Sequence, residues 1–335
     1  MLVQTMTTPA INDLLKKSFI KGSQHTTAGD VRSLFHKETG SWESASKRIY
    51  EMDRERFATV KVEGQNSRQR KIAQGYFKDV TRKTISVTRK VTGEAYKALV
   101  AHKLSEMAVQ TGKDVIDRIE LDMANFIGYG TTASHTDMTG FTVDTTTGDG
   151  RSLFNTGHTL KNSATTYSNL ITGAPSLSED AMELAEDYFN YNVMDNFGQR
   201  ISMTPNTIIT TRKATMVNRV RRLLGSMSPE SIEGVANANA GVTNTYKSAY
   251  RHLVVEFDVN TMNVTDASKS FWWMLAALGT NPETSLQAYY CSWQSPMVAP
   301  VEIDQDAWVM SYTGRAVYGI SALSGRGIAL AQATA

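Results

Sequence analysis

The chain has 335 residues, 41% of them hydrophobic and 20% charged, with 35 Lys and Arg against 33 Asp and Glu and a single cysteine. At ~100 to 200 residues per domain this fits about two domains with a substantial core and no need of metal or disulfide staples, which excludes collagen-like, disulfide-scaffold and wholly disordered classes. A formal charge of +2 disfavours a dedicated high-affinity nucleic-acid binder, unless the charge is unevenly distributed.

Met1 to Gly22 lacks the basic start, apolar run and small-residue cleavage site of a secretory signal, so synthesis in the cytoplasm is expected. The longest apolar cluster, Phe271–Leu278, falls far short of the ~18 to 20 residues that span a bilayer, and no membrane partner is expected. Cys291, with Tyr290, Trp293 and Met297 around it in sequence, reads as a buried thiol.

Residues 1–56 read as an arm. Ile11, Leu14, Leu15 and Phe19 sit at helical spacing, but such a segment is too sparse to build its own core and is either disordered or packed on something else. Alternation over Phe57–Val62 and again over Lys83–Val91 predicts two strands of a long hairpin joined by the polar stretch Glu63–Asp79. Residues 54–90 hold eleven Lys or Arg and three acids, so the charge is indeed uneven. Either this is a solvated hairpin, as charge runs usually are, or it is an arm that docks on an acidic surface of another subunit.

After Gly93, apolar residues from Tyr96 to Phe126 recur at three and four spacing and predict a helix over Glu94–Ile127, with Gly112 weakening its middle. Residues 128–177 are rich in Thr, Ser and Gly and read as loops and short edge strands. Their Asp137, Asp144 and Asp149 lack the spacing and closing Glu of a calcium loop, so no metal is expected. Ser176 or Ser178 caps a following helix whose first turn is acidic. A turn at Asn196–Gly198, a buried strand at Thr207–Thr211 and a basic helix at Lys213–Leu224 come next. The helix's Arg219, Arg221 and Arg222 fit either a phosphate contact or an ordinary solvated face. Residues 234–241 read as a loop, Leu253–Asp258 and Phe271–Leu275 as central strands, and Ala307–Leu330 as a long closing β-region.

No two of the six histidines lie within five residues of each other. There is no HExxH, no Cys pair, no GxSxG elbow and no phosphate-binding glycine loop after a strand. No enzyme, cofactor or metal constellation is legible.

The order of elements then becomes the main signal: arm, basic hairpin, long helix, Thr-rich connector, helix, strand, helix, loop and closing strands. This α+β order resembles the major capsid proteins of tailed bacteriophages with the HK97-type fold. Residues 153–158 (LFNTGH) and 170–180 (LITGAPSLSED) are similar to a run in the Mu-like head subunits. Residues 205–210 (PNTIIT) before a helix, and 312–319 (YTGRAVYG) through Arg326, are similar to strands of the same family.

The resemblance implies an N-terminal arm over 1–56 and an extended hairpin loop over 57–92. It further implies a peripheral domain with its spine helix over 93–175 and 301–335, and an axial domain over 176–300. It implies a non-enzymatic subunit that self-assembles as hexamers and pentamers into an icosahedral head, with a separate scaffolding protein, portal and decoration proteins as partners. Packaged double-stranded DNA is touched weakly and without sequence preference. The place implied is the virion, and the host cytoplasm during assembly. Arg68, Arg70, Lys71, Lys78, Arg82, Lys83, Arg89 and Lys90 are the expected subunit-docking residues. An encapsulin-like nanocompartment shell and, from a different class, a nucleic-acid-binding protein are the alternatives.

Overall fold

A computed structural model describes residues 8–24, 31–54, 72–92, 101–171 except 138, 177–225, 244–255, 272–299, 302–304 and 309–331, with the isolated positions 61, 63, 66 and 69. The helices are α1 (Thr8–Ser23), α2 (Ala101–Gly128), α3 (Glu179–Asp187) and α4 (Ala214–Gly225). The first strands are β1 (His36–Thr39), β2 (Ser46–Arg54), β3 (Ile72–Thr81) and β4 (Lys83–Thr92). The connector holds β5 (Ser134–Thr136), β6 (Thr142–Asp144), β7 (His158–Leu160), β8 (Ser163–Tyr167) and β9 (Leu170–Ile171). The remainder are β10 (Thr207–Thr211), β11 (Arg251–Val255), β12 (Trp273–Ala276), β13 (Ala288–Val298), β14 (Glu302–Asp304), β15 (Val309–Ala322) and β16 (Ile328–Ala331).

Two five-stranded sheets share one core. In the first, β15 is flanked by β13 and β14 on one side and β4 on the other, with β1 added in parallel to β13. The second runs β11-β10-β12-β16-β9. Helix α2 is continuous through Gly112 and about 42 Å long at ~1.5 Å per residue over its 28 residues. Its Val115, Ile119, Met123 and Phe126 pack in one cluster with Ala316 and Tyr318 of the first sheet and with Ile209, Met274 and Leu330 of the second. The opposite face of the second sheet, with Ile208, Trp273, Leu275 and Ala329, is covered by Met182 and Ala185 of α3, by Phe189 in the π-helical turn Tyr188–Asn192 after it, and by Met216, Val220 and Leu223 of α4. Apolar cover on both faces explains why all five residues of β10 are buried, as its unbroken pattern predicts.

The sparse N-terminal segment finds its partner in cis. Ile11, Leu15 and Phe19 of α1 are buried, and the helix lies along α2. Two glycines allow this approach. A Cβ on Gly22 would collide with the Val109 carbonyl, and one on Gly112 with the Phe19 carbonyl and, at 2.8 Å, with Ser23 N. Gly112, which weakens the helix by propensity, is where α1 crosses it.

Two expectations change. The first strand expected for the hairpin, Phe57–Val62, lies almost wholly outside the described residues, as do the 234–241 loop and residues 93–100. β4, expected as the second hairpin strand, is hydrogen-bonded along its whole length to β15, from Lys83 opposite Tyr318 to Thr92 opposite Val309. The hairpin instead pairs β2, from the expected arm, with β3, from the expected polar connector. Alternation predicts a strand but not its partner, and β4 is drawn to β15 because Ile85 and Val87 then face the core over α2.

The sheets also interleave the expected domain boundaries. β13, from the 176–300 segment, belongs to the sheet nearest α2, whereas β9 and β16, from 93–175 and 301–335, complete the second sheet. The closing β-region is broken after Ala322 by a turn in which Gly327 has φ of +78°, so β15 and β16 enter different sheets.

Candidate assembly surface

Opposed residues of an antiparallel pair share a face, so the register of β2 and β3 defines two sides. Arg48 faces Asp79, Tyr50 faces Phe77, Met52 faces Gln74 and Arg54 faces Ile72, with a bulge between Tyr50 and Met52. On this side Tyr50 is 54% exposed, Met52 62%, Ile72 74% and Phe77 43%. Arg48 donates to both oxygens of Asp79 at 2.7 Å, and its guanidinium lies 4.4 Å from the centroid of the Phe77 ring. That fork holds the Asp79 carboxyl below the ordinary carboxylate range and the Arg48 guanidinium above its own. Trp42, also exposed, precedes the hairpin, and the Arg82 guanidinium lies 5.8 Å from the centroid of its ring.

The other side is turned to the body, where Val80 packs with Ile49, Cys291, Trp293 and Val317 and the remaining contacts are polar. Arg326 donates one amino group to Glu51 and the other to Asn196 Oδ1 at 3.0 Å. Asn196 Nδ2 donates to Glu51 Oε2 at 2.6 Å and to Asp53. Lys161 Nζ donates to the Gly75 carbonyl at 2.7 Å, and Lys78 Nζ to Asp144 Oδ2 and Thr146 Oγ1, both at 2.6 Å. Burial opposes the charge of Arg326, but the Glu51 carboxylate more than restores it, so its pKa stays above the ordinary value. Buried charges thus help to anchor the hairpin to the body beside Val80 and Ile49, while four of its large apolar side chains, Tyr50, Met52, Ile72 and Phe77, face solvent.

Of the eight expected docking residues, Arg68, Arg70 and Lys71 lie outside the described residues. Lys78 and Arg89 pair within their own subunit, the latter with Asp114 at 2.5 Å. Arg82 donates to the Trp42 carbonyl at 3.2 Å, and Lys90 is exposed. Lys83 corrects the expectation. It is buried, with Nζ 2.8 Å from both Asp122 and Asp137 and 4.5 Å from the Phe141 ring centroid. Arg118 bridges the same two carboxylates, and the Tyr318 hydroxyl donates to Asp122. Burial pushes Asp137 up, but the bonds from Lys83, Thr139 and Phe141 N–H win and hold it well below its ordinary value. Two cations against two anions make this a neutral internal cluster with no charge left to offer a neighbour. A recess of about 180 Å³ beside it is lined by Lys78, Lys83, Asp122 and Asp144, whose cations and acids already satisfy one another.

Charge counting thus singled out a cluster of which one member is internal, and missed Tyr50, Met52, Ile72 and Phe77. Their only sequence signal was apolar residues alternating with Glu51, Asp53 and Lys78. Asp137, Asp144 and Asp149 cap their own turns, accepting from the N–H groups of Thr139, Thr146 and Arg151. Among the described residues no group of three metal-ligating side chains converges. Cys291 is buried, as expected, and burial pushes its thiol up to about 11.

No family model and no curated protein matches the chain. Solved structures do. The bacteriophage PhiM1 mature capsid is similar over 92% of this chain and 88% of its own, at 9% identity and a TM-score of 0.53. The capsid of cyanophage P-SCSP1u covers 92% and 89% at 10% identity and 0.51. A phage-related protein from Bordetella bronchiseptica covers 95% and 96% at 12% identity and 0.51. Identities this low report the backbone and not the chemistry. The two interleaved sheets around a long helix, with an extended hairpin, are the HK97-type capsid fold that the sequence resembles.

Proposed function

We propose that the chain is a structural subunit that self-assembles into the icosahedral head of a tailed bacteriophage, and is not an enzyme. The exposed apolar side of the hairpin, on a chain with this fold, carries the reading. A two-stranded hairpin alone is marginal in water, and one that presents Tyr50, Met52, Ile72 and Phe77 to solvent is built to be covered. Covering each such side chain contributes ~1.5 to 3 kcal/mol, whereas an exposed ion pair contributes ~0 to 1. Adhesion therefore comes from the apolar side, while Arg82 and Lys90, together with Arg68, Arg70 and Lys71, set register and partner choice.

Copies of the chain would meet as hexamers and pentamers through heterologous contacts that close into rings. The part around α2 and the first sheet fits a peripheral role, and the second sheet with α3 and α4 an axial one. A separate scaffolding protein, a portal and decoration proteins complete the partner set. The head would enclose double-stranded DNA through weak contacts, in the virion after assembly in the host cytoplasm.

Negative-stain electron microscopy of the expressed chain, alone and with a scaffolding partner, tests this. Closed shells of uniform diameter are expected. A monomer at every concentration that only binds DNA in a salt-dependent way would replace this reading with a nucleic-acid-binding one.

A further inference from the structure

We infer that the solvent face where the end of α4 meets the start of β11, marked by Arg221, Lys247 and Arg251, is the surface that takes the phosphate backbone of double-stranded DNA. This rests on the shell-subunit reading and gives that partner a place on the chain. Residues 201–225 and 244–255 hold seven Lys or Arg and no Asp or Glu, and the stretch 226–243 between them adds two acids and no base. The basic character of α4, open in sequence between a phosphate contact and an ordinary solvated face, is thus shared by the elements packed beside it.

The fold gathers these charges. Helix α4 buries Met216, Val220 and Leu223 against the second sheet, and the segment before β11 closes on the helix end. There Ser248 N–H donates to the Leu224 carbonyl at 3.1 Å and Asn244 Nδ2 to the Leu223 carbonyl at 2.6 Å. Lys247 is thereby held at the C-terminus of α4, and Arg251 opens β11, the edge strand of its sheet. Burial and then the charge of Arg221 push His252 below its ordinary value, so Arg221 stands near the same strand. Cations favour a helix C-terminus in their own right, which accounts for Arg221 and Lys247 but not for Arg251.

Two features select a polyanion over a protein. Arg221, Lys247 and Arg251 are exposed, and no ion pair ties any of them to another described residue, whereas Lys47, Arg48, Lys78 and Arg89 are all paired. A protein partner also needs large side chains to anchor it, and none of the large hydrophobic side chains exposed among the described residues lies in 201–225 or 244–255. Asn218, Thr245 and Ser248, exposed around the cations, are of the types that hydrogen-bond phosphate oxygens. Such a face binds by displacing counterions from the duplex, with no apolar contact and no reading of base sequence. In a shell around packaged DNA it is turned to the inside.

The test titrates the full chain, below the concentration at which shells form, into a labelled duplex and follows fluorescence anisotropy across a salt series. Arg221→Gln with Lys247→Gln and Arg251→Gln is expected to lower the slope of log affinity against log salt by about 2 to 3. Lys16→Gln with Lys17→Gln and Lys21→Gln, the same charge removed from the exposed side of α1, is expected to leave it unchanged. A wild-type chain without salt-dependent affinity, an unchanged slope in the first variant, or equal losses in both variants overturns the surface.

A second measurement reads the direction of the face. Asn218→Cys in closed shells is expected to react with a small maleimide and to be shielded from one carrying a large polyethylene glycol chain, and to react with both once the shells are dissociated. Cys291 is buried and gives no background. Full reaction of closed shells with the large reagent puts the face outside, which overturns the inference and leaves the shell reading standing. The expected slopes from a chain that never forms shells support the phosphate surface and remove the shell reading instead.

Discussion

Arg326 and Glu51 stand 275 positions apart in sequence and form a buried ion pair that fixes the hairpin to the turn between the two sheets. Asn196 closes the arrangement by bonding both partners, so the hairpin, the first sheet's exit and the turn after α3 are tied at one point. Removing one member leaves a buried charge unpaired. Arg326→Met or Glu51→Leu alone is expected to cost ~3 to 5 kcal/mol of stability in urea unfolding, while the double replacement recovers a large part of that loss. Equal losses in the single and double variants would show that the pair is not what anchors the hairpin.

The crossing of α1 over α2 depends on two missing side chains. Gly22→Ala places a methyl group against the Val109 carbonyl and Gly112→Ala places one against Phe19 and Ser23, although alanine favours a helix in isolation. Each is expected to destabilise by ~1 to 3 kcal/mol and to expose α1 to protease before the rest of the chain. Unchanged digestion of the N-terminal segment would mean that the helices part without cost.

Lys83 and its neighbours in sequence separate cleanly by location. Lys83→Met leaves Asp122 and Asp137 with Arg118 alone, and a loss of ~3 to 5 kcal/mol is expected in thermal or denaturant melts. Arg82→Glu with Lys90→Glu, both at the surface, is expected to leave the melt within about 0.5 kcal/mol while lowering particle yield. Normal shells from that double variant would remove the docking role assigned to these charges.

Acid should weaken the subunit through named carboxylates. Burial pushes Asp149 up, but its bonds with His158 and Thr147 prevail and hold it at about 2, below its ordinary 3.8. Asp137 is depressed in the same direction by Lys83 and Thr139. A depressed folded-state pKa means that the unfolded chain binds the proton first. The stabilisation is therefore complete above the ordinary value and is lost as pH falls through it toward about 2. Unfolding free energies measured across this window should fall with pH, and Asp149→Asn should flatten the slope. An unchanged slope in that variant would assign the acid sensitivity elsewhere.

Much of the fold was legible locally. The three and four spacing from Tyr96 to Phe126 anticipated α2, and Ser178 does cap α3, accepting from the Ala181 N–H at 3.2 Å. The β-branched run Thr207–Thr211 anticipated a short buried strand, and all five of its residues are buried. These features depend on neighbours within a few residues, which periodicity and capping report directly.

The hairpin shows where that reach ends. Alternation along Ser46–Arg54 and Ile72–Thr81 sorts the side chains onto two sides but carries no mark of which side faces the body. Arg326 and Asn196, distant in sequence, supply the partners that draw Glu51 and Asp53 inward and leave Tyr50 and Phe77 outside. The sequence also placed a basic excess near the hairpin, but the tertiary structure decided which charges remain available, burying Lys83 between two aspartates and leaving Lys90 in solvent. By itself the sequence determined the long helix, the capped helix, several of the strands and the charge, but not β2 and β3. Only the packed chain decided which strands pair and which face each turns outward, because those choices rest on contacts beyond the reach of local pattern, as with β4 on β15 and Arg326 on Glu51.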